Sequence, residues 1–190
     1  MTEKDVLDIF EKKNALLSGH FKLSSGLHSG KYLQCALVLQ YPDIAEKMAM
    51  EIAGRFKADG IDFVVGPALG GVTLAYEVAR ALGVRGLFTE RQDGKMTLRR
   101  GFSISKGEKA LVVEDVITTG GSTKEVIDVI ESLGAKTVGV ACVIDRSGGK
   151  AGFPVKFEAL AKVKVETFEE NNCPLCKSGA PITKPGSRGK

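Results

Sequence analysis

The sequence predicts one α/β domain in which helices flank a central, mostly parallel sheet. Three observations support this reading. Short apolar runs at 63–65, 109–113 and 137–144 alternate with helical segments, the order that gives right-handed crossovers and a sheet covered on both faces. The runs end in turns rich in glycine, proline or acidic residues, and ligands bind beyond such strand ends in open parallel sheets. The chain has 190 residues, 43% hydrophobic and 26% charged, which suffices for one core and little more.

In chain order, residues 2–17 read as a helix. Thr2 and Asp5 have capping-box spacing, and Val6, Ile9, Phe10, Lys13 and Leu17 recur at helical intervals. Residues 18–31 are rich in Ser, Gly and His and read as turns or a loop. The run 32–39 reads as a strand. A second helix at 43–58 sets Ile44, Met48, Ile52 and Phe56 one turn apart. Phe63-Val64-Val65 is a short strand ending in Gly66-Pro67, followed by a helix from about 72 to 82 and an apolar run at 86–88. Residues 91–107 are polar and basic. The run 109–113 is the clearest strand. Helix 122–133 has Ser122 and Glu125 at capping spacing and Gly134 as its stop. A strand at 137–144 follows, with one more expected within 157–165. Residues 171–190, with Pro174, Pro181 and Pro185, read as an irregular tail beyond a main domain of 1–170.

Composition excludes several classes of function. No window approaches the roughly 18 apolar residues of a membrane span. The N-terminus lacks the charged-then-apolar build of a signal peptide, so a cytoplasmic location is expected. The net charge is +4, from 27 basic and 23 acidic residues. The tail holds Lys177, Lys184, Arg188 and Lys190 and no acid; removing these four leaves 23 basic against 23 acidic residues in 1–170. A neutral body is not the footprint of a nucleic-acid-binding domain. Neither nucleic acid nor membrane is expected as a partner.

The strongest chemical signal follows the strand at 109–113. Glu114 and Asp115 emerge from it, then Val116-Ile117-Thr118-Thr119-Gly120-Gly121, and Ser122 opens a helix. Two glycines allow backbone N–H groups close to an anion, and the helix N-terminus adds the positive end of its dipole. This is a phosphate cradle without a lysine. The adjoining carboxylates accept hydrogen bonds from hydroxyls. Phosphate at one end and a diol at the other describe a ribose 5-phosphate. A second turn, Gly66-Pro67-Ala68-Leu69-Gly70-Gly71-Val72, has the glycine spacing of a P-loop, but Val72 stands where lysine is required. It suits a second anion such as pyrophosphate, or is a plain tight turn.

The segment 112–122 resembles the phosphoribosyl-pyrophosphate (PRPP) signature of type I phosphoribosyltransferases. Further features resemble the orotate phosphoribosyltransferases within that family: Phe21-Lys22-Leu23-Ser24-Ser25-Gly26 with His28-Ser29 and Tyr32, then Gly66-Pro67-Ala68, the basic loop at 91–100, and Asp145-Arg146. The resemblance covers about residues 5–165. It implies a type I phosphoribosyltransferase fold with a small N-terminal hood over about 1–40. It also implies transfer of the 5-phosphoribosyl group from PRPP to orotate, giving orotidine 5-monophosphate and pyrophosphate in pyrimidine biosynthesis. A purine-type phosphoribosyltransferase and a PRPP-sensing, nucleic-acid-binding regulator are the alternatives.

Residue by residue, the resemblance assigns Glu114 and Asp115 to the ribose hydroxyls, and Thr118, Thr119, Gly120, Gly121 and Ser122 to the 5-phosphate, with Val116 and Ile117 between them. Thr118 and Arg146 face orotate. A guanidinium suits the orotate carboxylate on independent grounds, because it pairs bidentately; an ion pair with Asp145 is the competing use of Arg146. The loop supplies Arg91, Gln92, Lys95 and Thr97 to PRPP and acts in the site of a partner subunit, which makes a homodimer. Lys95, Arg91 and Asp115 are the catalytic candidates. Cations on the departing pyrophosphate lower the barrier, and Gly94 lets the loop close. Mg²⁺ is the implied cofactor, bound mainly through PRPP, with no protein ligand assigned. The sequence departs from the family at Gln92, Gly70 and Ser24, where relatives carry basic residues, and at Thr97, where they carry histidine. Arg99 and Arg100 are nearby cations.

Four cysteines complete the inventory. Cys35 and Cys142 lie in apolar runs and read as buried thiols. Cys173-Pro174-Leu175-Cys176 supplies two thiolates, half of a structural zinc set. A zinc shared across a dimer, a redox pair and two free thiols are all compatible with it, the last being the plainest. His20 and His28 show no metal-ligand spacing and read as hydrogen-bonded loop residues.

Overall fold

The computed structural model describes residues 1–23 and 26–184. Ser24 and the end of the tail lie outside them. The main sheet has six strands in the order β5-β4-β3-β6-β7-β8: β3 (Phe63–Pro67), β4 (Arg85–Gln92), β5 (Lys95–Leu98), β6 (Lys109–Ile117), β7 (Lys136–Asp145) and β8 (Lys156–Lys162). All neighbours are parallel except the β4–β5 hairpin. The strands alternate between two cores. Val64, Leu111, Val113, Ala141 and Val143 face one cluster, with α1 (Glu3–Lys12), α3 (Pro42–Phe56) and α4 (Gly70–Leu82). Phe63, Val65, Val112, Val140 and Cys142 face the other, with Val126, Ile127 and Ile130 of α5 (Gly121–Ser132). This is the period-two pattern of a sheet buried on both sides. No helix among the described residues is long and apolar enough to cross a membrane.

The N-terminal third differs from expectation. The capping box is present: Asp5 N–H donates to Thr2 Oγ1 and Thr2 N–H to the Asp5 carboxylate. But the helix stops at Lys12, and Asn14 takes a positive φ of 52°. Residues 18–31, expected as a loop, mostly form a hairpin of β1 (Leu16–Lys22) and β2 (His28–Leu33). The expected strand at 32–39 ends at Leu33, and Ala36–Leu39 is a short helix, α2. The reason is periodicity: Val38 and Leu39 are both buried, as on a helix face and not on an alternating strand.

The described part of the tail is ordered against this hairpin. A second sheet has the order β10-β1-β2-β9, where β9 is Thr167–Phe168 and β10 is Ile182–Thr183. A 3₁₀ turn (Glu170–Asn172) and α6 (Pro174–Lys177) lie between them. The hood is therefore built from both ends of the chain, and α1 belongs to the main core instead.

Candidate active site

β3, β4, β6 and β7 all end at the same edge of the main sheet, and the candidate residues follow from that. β6 delivers Glu114 and Asp115, the turn 118–120 follows, and α5 begins at Gly121. Gly120 occupies the cap position with φ 78°, a left-handed conformation that disfavours other residues. A Cβ there would also meet the Phe153 ring at 3.0 Å. Neither Ser122 nor Glu125 caps the helix as expected. Thr118, Thr119, Gly121 and Ser122 are exposed to the site. With no side chain on the cap, the first N–H groups of α5 remain open to an anion.

Glu114 and Asp115 differ in state. Glu114 is only 8% exposed, and burial beside the Asp115 carboxylate pushes its pKa up to about 9. It is therefore neutral at pH 7. Asp115 is fixed by Val116 N–H, which donates to its Oδ1 at 2.8 Å.

The β3–α4 turn lies against Asp115. Its Ala68–Leu69 peptide is cis. A Cβ at Gly70 would come within 2.6–2.7 Å of the Asp115 carboxyl atoms. A side chain there would have to displace the Asp115 carboxyl from this position. Leu69, Gly70 and Asp115 join Gln34, Ala36, Leu39 and Gln40 around a cleft of about 600 Å³. These four residues from the α2 segment were not candidates, because a stretch read as a strand gave no sign that it would close over the site. Cys35, buried beneath them, donates its S–H to the Asp115 carbonyl at 3.7 Å.

Arg146 follows β7, and its N–H donates to Ile117 O at 2.8 Å, which ties it to the end of β6. It forms no ion pair with Asp145, whose Oδ1 accepts from Ser147 N–H. Its Nε is buried without a partner, and burial lowers its pKa below the ordinary arginine value. Among the described residues no acid pairs with this half-buried guanidinium, which leaves it able to take an anion.

The loop candidates lie elsewhere in the subunit. Gln92 pairs with Lys95 across a two-residue Asp93-Gly94 turn with φ 51° and 81°, a primed hairpin turn. Asp-Gly is itself a hairpin signal, so the polar reading of 91–107 missed a strand. Gly94 serves the turn. Arg91 is paired with Glu125 of α5 at 2.8 Å and donates to Gly94 O. Thr97 Oγ1 donates to Lys95 O, while Arg99 and Arg100 pair with Glu90. Three strand spacings separate β5 from β6, about 14 Å. Within one subunit the strand ends bring 114–122, the 66–71 turn and Arg146 to one sheet edge, while Arg91, Gln92, Lys95 and Thr97 sit on the β4–β5 hairpin, which meets α5 through the Arg91–Glu125 pair.

Comparison with known proteins agrees with this geometry. Residues 38–152 match the model of the phosphoribosyl transferase domain family. The orotate phosphoribosyltransferase of Desulforamulus reducens is 58% identical over 188 residues, 99% of this chain and 98% of its own. That of Caldanaerobacter subterraneus subsp. tengcongensis is 57% identical, covering 99% of each. Among solved structures, orotate phosphoribosyltransferase from Aeropyrum pernix superposes with a TM-score of 0.68 at 27% identity, covering 83% of this chain and 93% of that one. The fold extends to adenine phosphoribosyltransferase of Trypanosoma brucei, TM-score 0.61 at 17% identity over 87% of this chain and 84% of that one. The fold is thus shared widely, while identity above one half over nearly the full length is narrower: this chain belongs to the orotate phosphoribosyltransferase family.

Proposed function

We propose that the chain transfers the 5-phosphoribosyl group of PRPP to N1 of orotate, releasing orotidine 5-monophosphate and pyrophosphate. One observation supports it above the others. A lysine-free phosphate cradle, a carboxyl pair and an unpaired guanidinium meet at one sheet edge, and together they match a ribose 5-phosphate beside an anionic base.

In this reading the turn 118–122 holds the 5-phosphate through hydroxyls and the N-terminus of α5. Glu114, neutral, both donates to and accepts from the ribose hydroxyls. Asp115 accepts from them. The C1′–O bond to pyrophosphate breaks as the C1′–N1 bond to orotate forms, and positive charge develops at C1′ between the two. The Asp115 carboxylate is the preorganised counter-charge for it. Arg146 fixes the carboxylate of orotate and Thr118 its ring, so that N1 faces C1′. Thr97 offers no base, and the N1 proton leaves to solvent. The site's donors are oxygens, from Asp115, Glu114 and the threonines, which suits Mg²⁺ carried on PRPP; when bound it offsets phosphate charge.

Lys95 and Arg91 act on the departing pyrophosphate from the partner subunit of a homodimer. One feature supports action in trans: β5 and β6 are separated by two intervening strands of the sheet. A cytoplasmic enzyme fits this use of free PRPP and orotate. The test is orotate absorbance with PRPP and Mg²⁺, and with each omitted in turn. Loss of orotate only in the complete mixture is expected. PRPP binding without loss of orotate would overturn the assignment of the acceptor.

A further inference from the structure

The hood contains four ligand atoms that the reaction does not use. His20 and His28 from the β1–β2 hairpin meet Cys173 and Cys176 from the tail, and one ligand atom of each lies within 4.8 Å of all the others. We propose that these four residues bind a structural Zn²⁺ that fastens the C-terminal segment to the hood.

The distances have the right size. Tetrahedral zinc with bonds of about 2.3 Å to sulfur and 2.05 Å to nitrogen sets N···S edges near 3.6 Å and an N···N edge near 3.3 Å. Here Cys173 Sγ and Cys176 Sγ lie 3.6 and 3.7 Å from His20 Nε2, and Cys176 Sγ lies 3.2 Å from His28 Nδ1. The two imidazole nitrogens are 3.0 Å apart. Two of these separations match the tetrahedral edges, and the other two are shorter by a few tenths of an ångström. All four groups face one point, and three of the residues are closed off from solvent: His20 is 4% exposed, His28 1% and Cys173 0%.

The outer contact of His20 fixes the tautomer that a metal needs, and that of His28 is compatible with it. His20 Nδ1–H donates to Ala180 O at 2.9 Å, which leaves Nε2 as a lone pair facing the cluster. His28 Nε2 has no hydrogen-bond partner and lies 4.0 Å from a Glu170 carboxylate oxygen. With its proton on Nε2, toward that acid, His28 presents a lone pair on Nδ1. In that tautomer both lone pairs, 3.0 Å apart, face the cluster and are available to one cation; without metal, His28 Nδ1–H can donate to His20 Nε2 instead. A ligand histidine that gives its other N–H to a carbonyl or carboxylate is the usual second layer of a zinc site.

The sequence hides this set because its halves are 145 residues apart in the chain. Lys22 opposes His28 in the hairpin, so His20 stands diagonally across from it. Cys173 and Cys176 are one turn apart around α6. The spacing that marks a metal site is therefore spatial. The rest of the tail's attachment is slight: β9 and β10 have two residues each, and Cys173 is its sole buried apolar residue among those described from 169 onward. Such a segment is a poor candidate to dock by packing alone, and metal binding then contributes directly to folding. Because β2 runs directly into the α2 segment over the active-site cleft, the zinc also steadies the cover of the site.

The test is metal content by mass spectrometry of the full chain, purified in reductant without chelator. About one Zn²⁺ per chain is expected. Cys173→Ser and Cys176→Ser together should abolish it, and chelation should lower the melting temperature of the wild type but not of that double variant. In the metal-free, reduced wild type, Co²⁺ should give intense visible bands of tetrahedral thiolate coordination, a readout that needs no variant to fold. Absence of zinc together with no Co²⁺ bands would overturn the proposal. So would undiminished zinc in the double variant, or a quantitative Cys173–Cys176 disulfide in protein prepared without oxidant.

Discussion

Replacing Glu114 by glutamine should stabilise the protein, and increasingly so as pH rises. The native carboxyl stays protonated up to about pH 9, whereas its ordinary value is 4.5. The unfolded chain therefore ionises Glu114 first, and stability falls with rising pH across that window. The sign is that of a raised pKa: the contribution is complete below about pH 4.5 and lost as pH climbs toward 9. At pH 7 the cost of keeping the group neutral is about 3 kcal/mol, from 1.36 kcal/mol per pH unit above 4.5. Glutamine is neutral in both states and its amide can still donate to Asp115. At pH 7 the variant should melt about 6–12 °C higher than wild type. The two should converge near pH 4.5 and diverge further at pH 8.5. The assay is thermal unfolding of both ligand-free proteins over pH 4.5–8.5. Parallel curves would show that Glu114 is charged in the native site and would remove the division of roles between the two acids.

Other substitutions test the remaining assignments. Gly70→Lys puts a Cβ into the Asp115 carboxylate, so kcat/KM should fall by about tenfold or more, with wild-type oligomeric state. Arg146→Ala should raise KM for orotate by about 10²-fold while leaving PRPP affinity, measured by calorimetry, within about twofold. Lys95→Ala should lose about 10²–10³ in turnover and keep PRPP binding. If the loop acts in trans, mixing inactive Lys95→Ala and Asp115→Asn proteins should restore up to about a quarter of wild-type activity, because hybrid dimers have one intact site; no recovery after subunit exchange would place the loop in its own subunit's site.

The parts of this fold that were legible in the sequence are those fixed locally. The apolar run at 109–113, the acid pair and the glycines that open α5 are consecutive, so one segment reveals strand, turn and cradle. The Thr2–Asp5 capping box is equally local. What stayed hidden depends on residues distant in the chain. The 18–31 stretch looks like loop because its strands alternate Ser, Gly and His, and its pairing with 167–168 and 182–183 is visible only in space. The same distance concealed the His20–His28–Cys173–Cys176 cluster. The state of Glu114 was unreadable for another reason: its neighbour Asp115 is evident in sequence, but the burial that holds its proton is a property of the packed sheet end.

Acceptor choice is the most direct test of the central claim, because the fold is shared with adenine phosphoribosyltransferases and the proposed function assigns the choice of an anionic base to Arg146. Pyrophosphate release should be measured with PRPP, Mg²⁺ and, separately, orotate, adenine, hypoxanthine, guanine and uracil. The account predicts release with orotate and none above background with the other four. Release with a purine and not with orotate would contradict it.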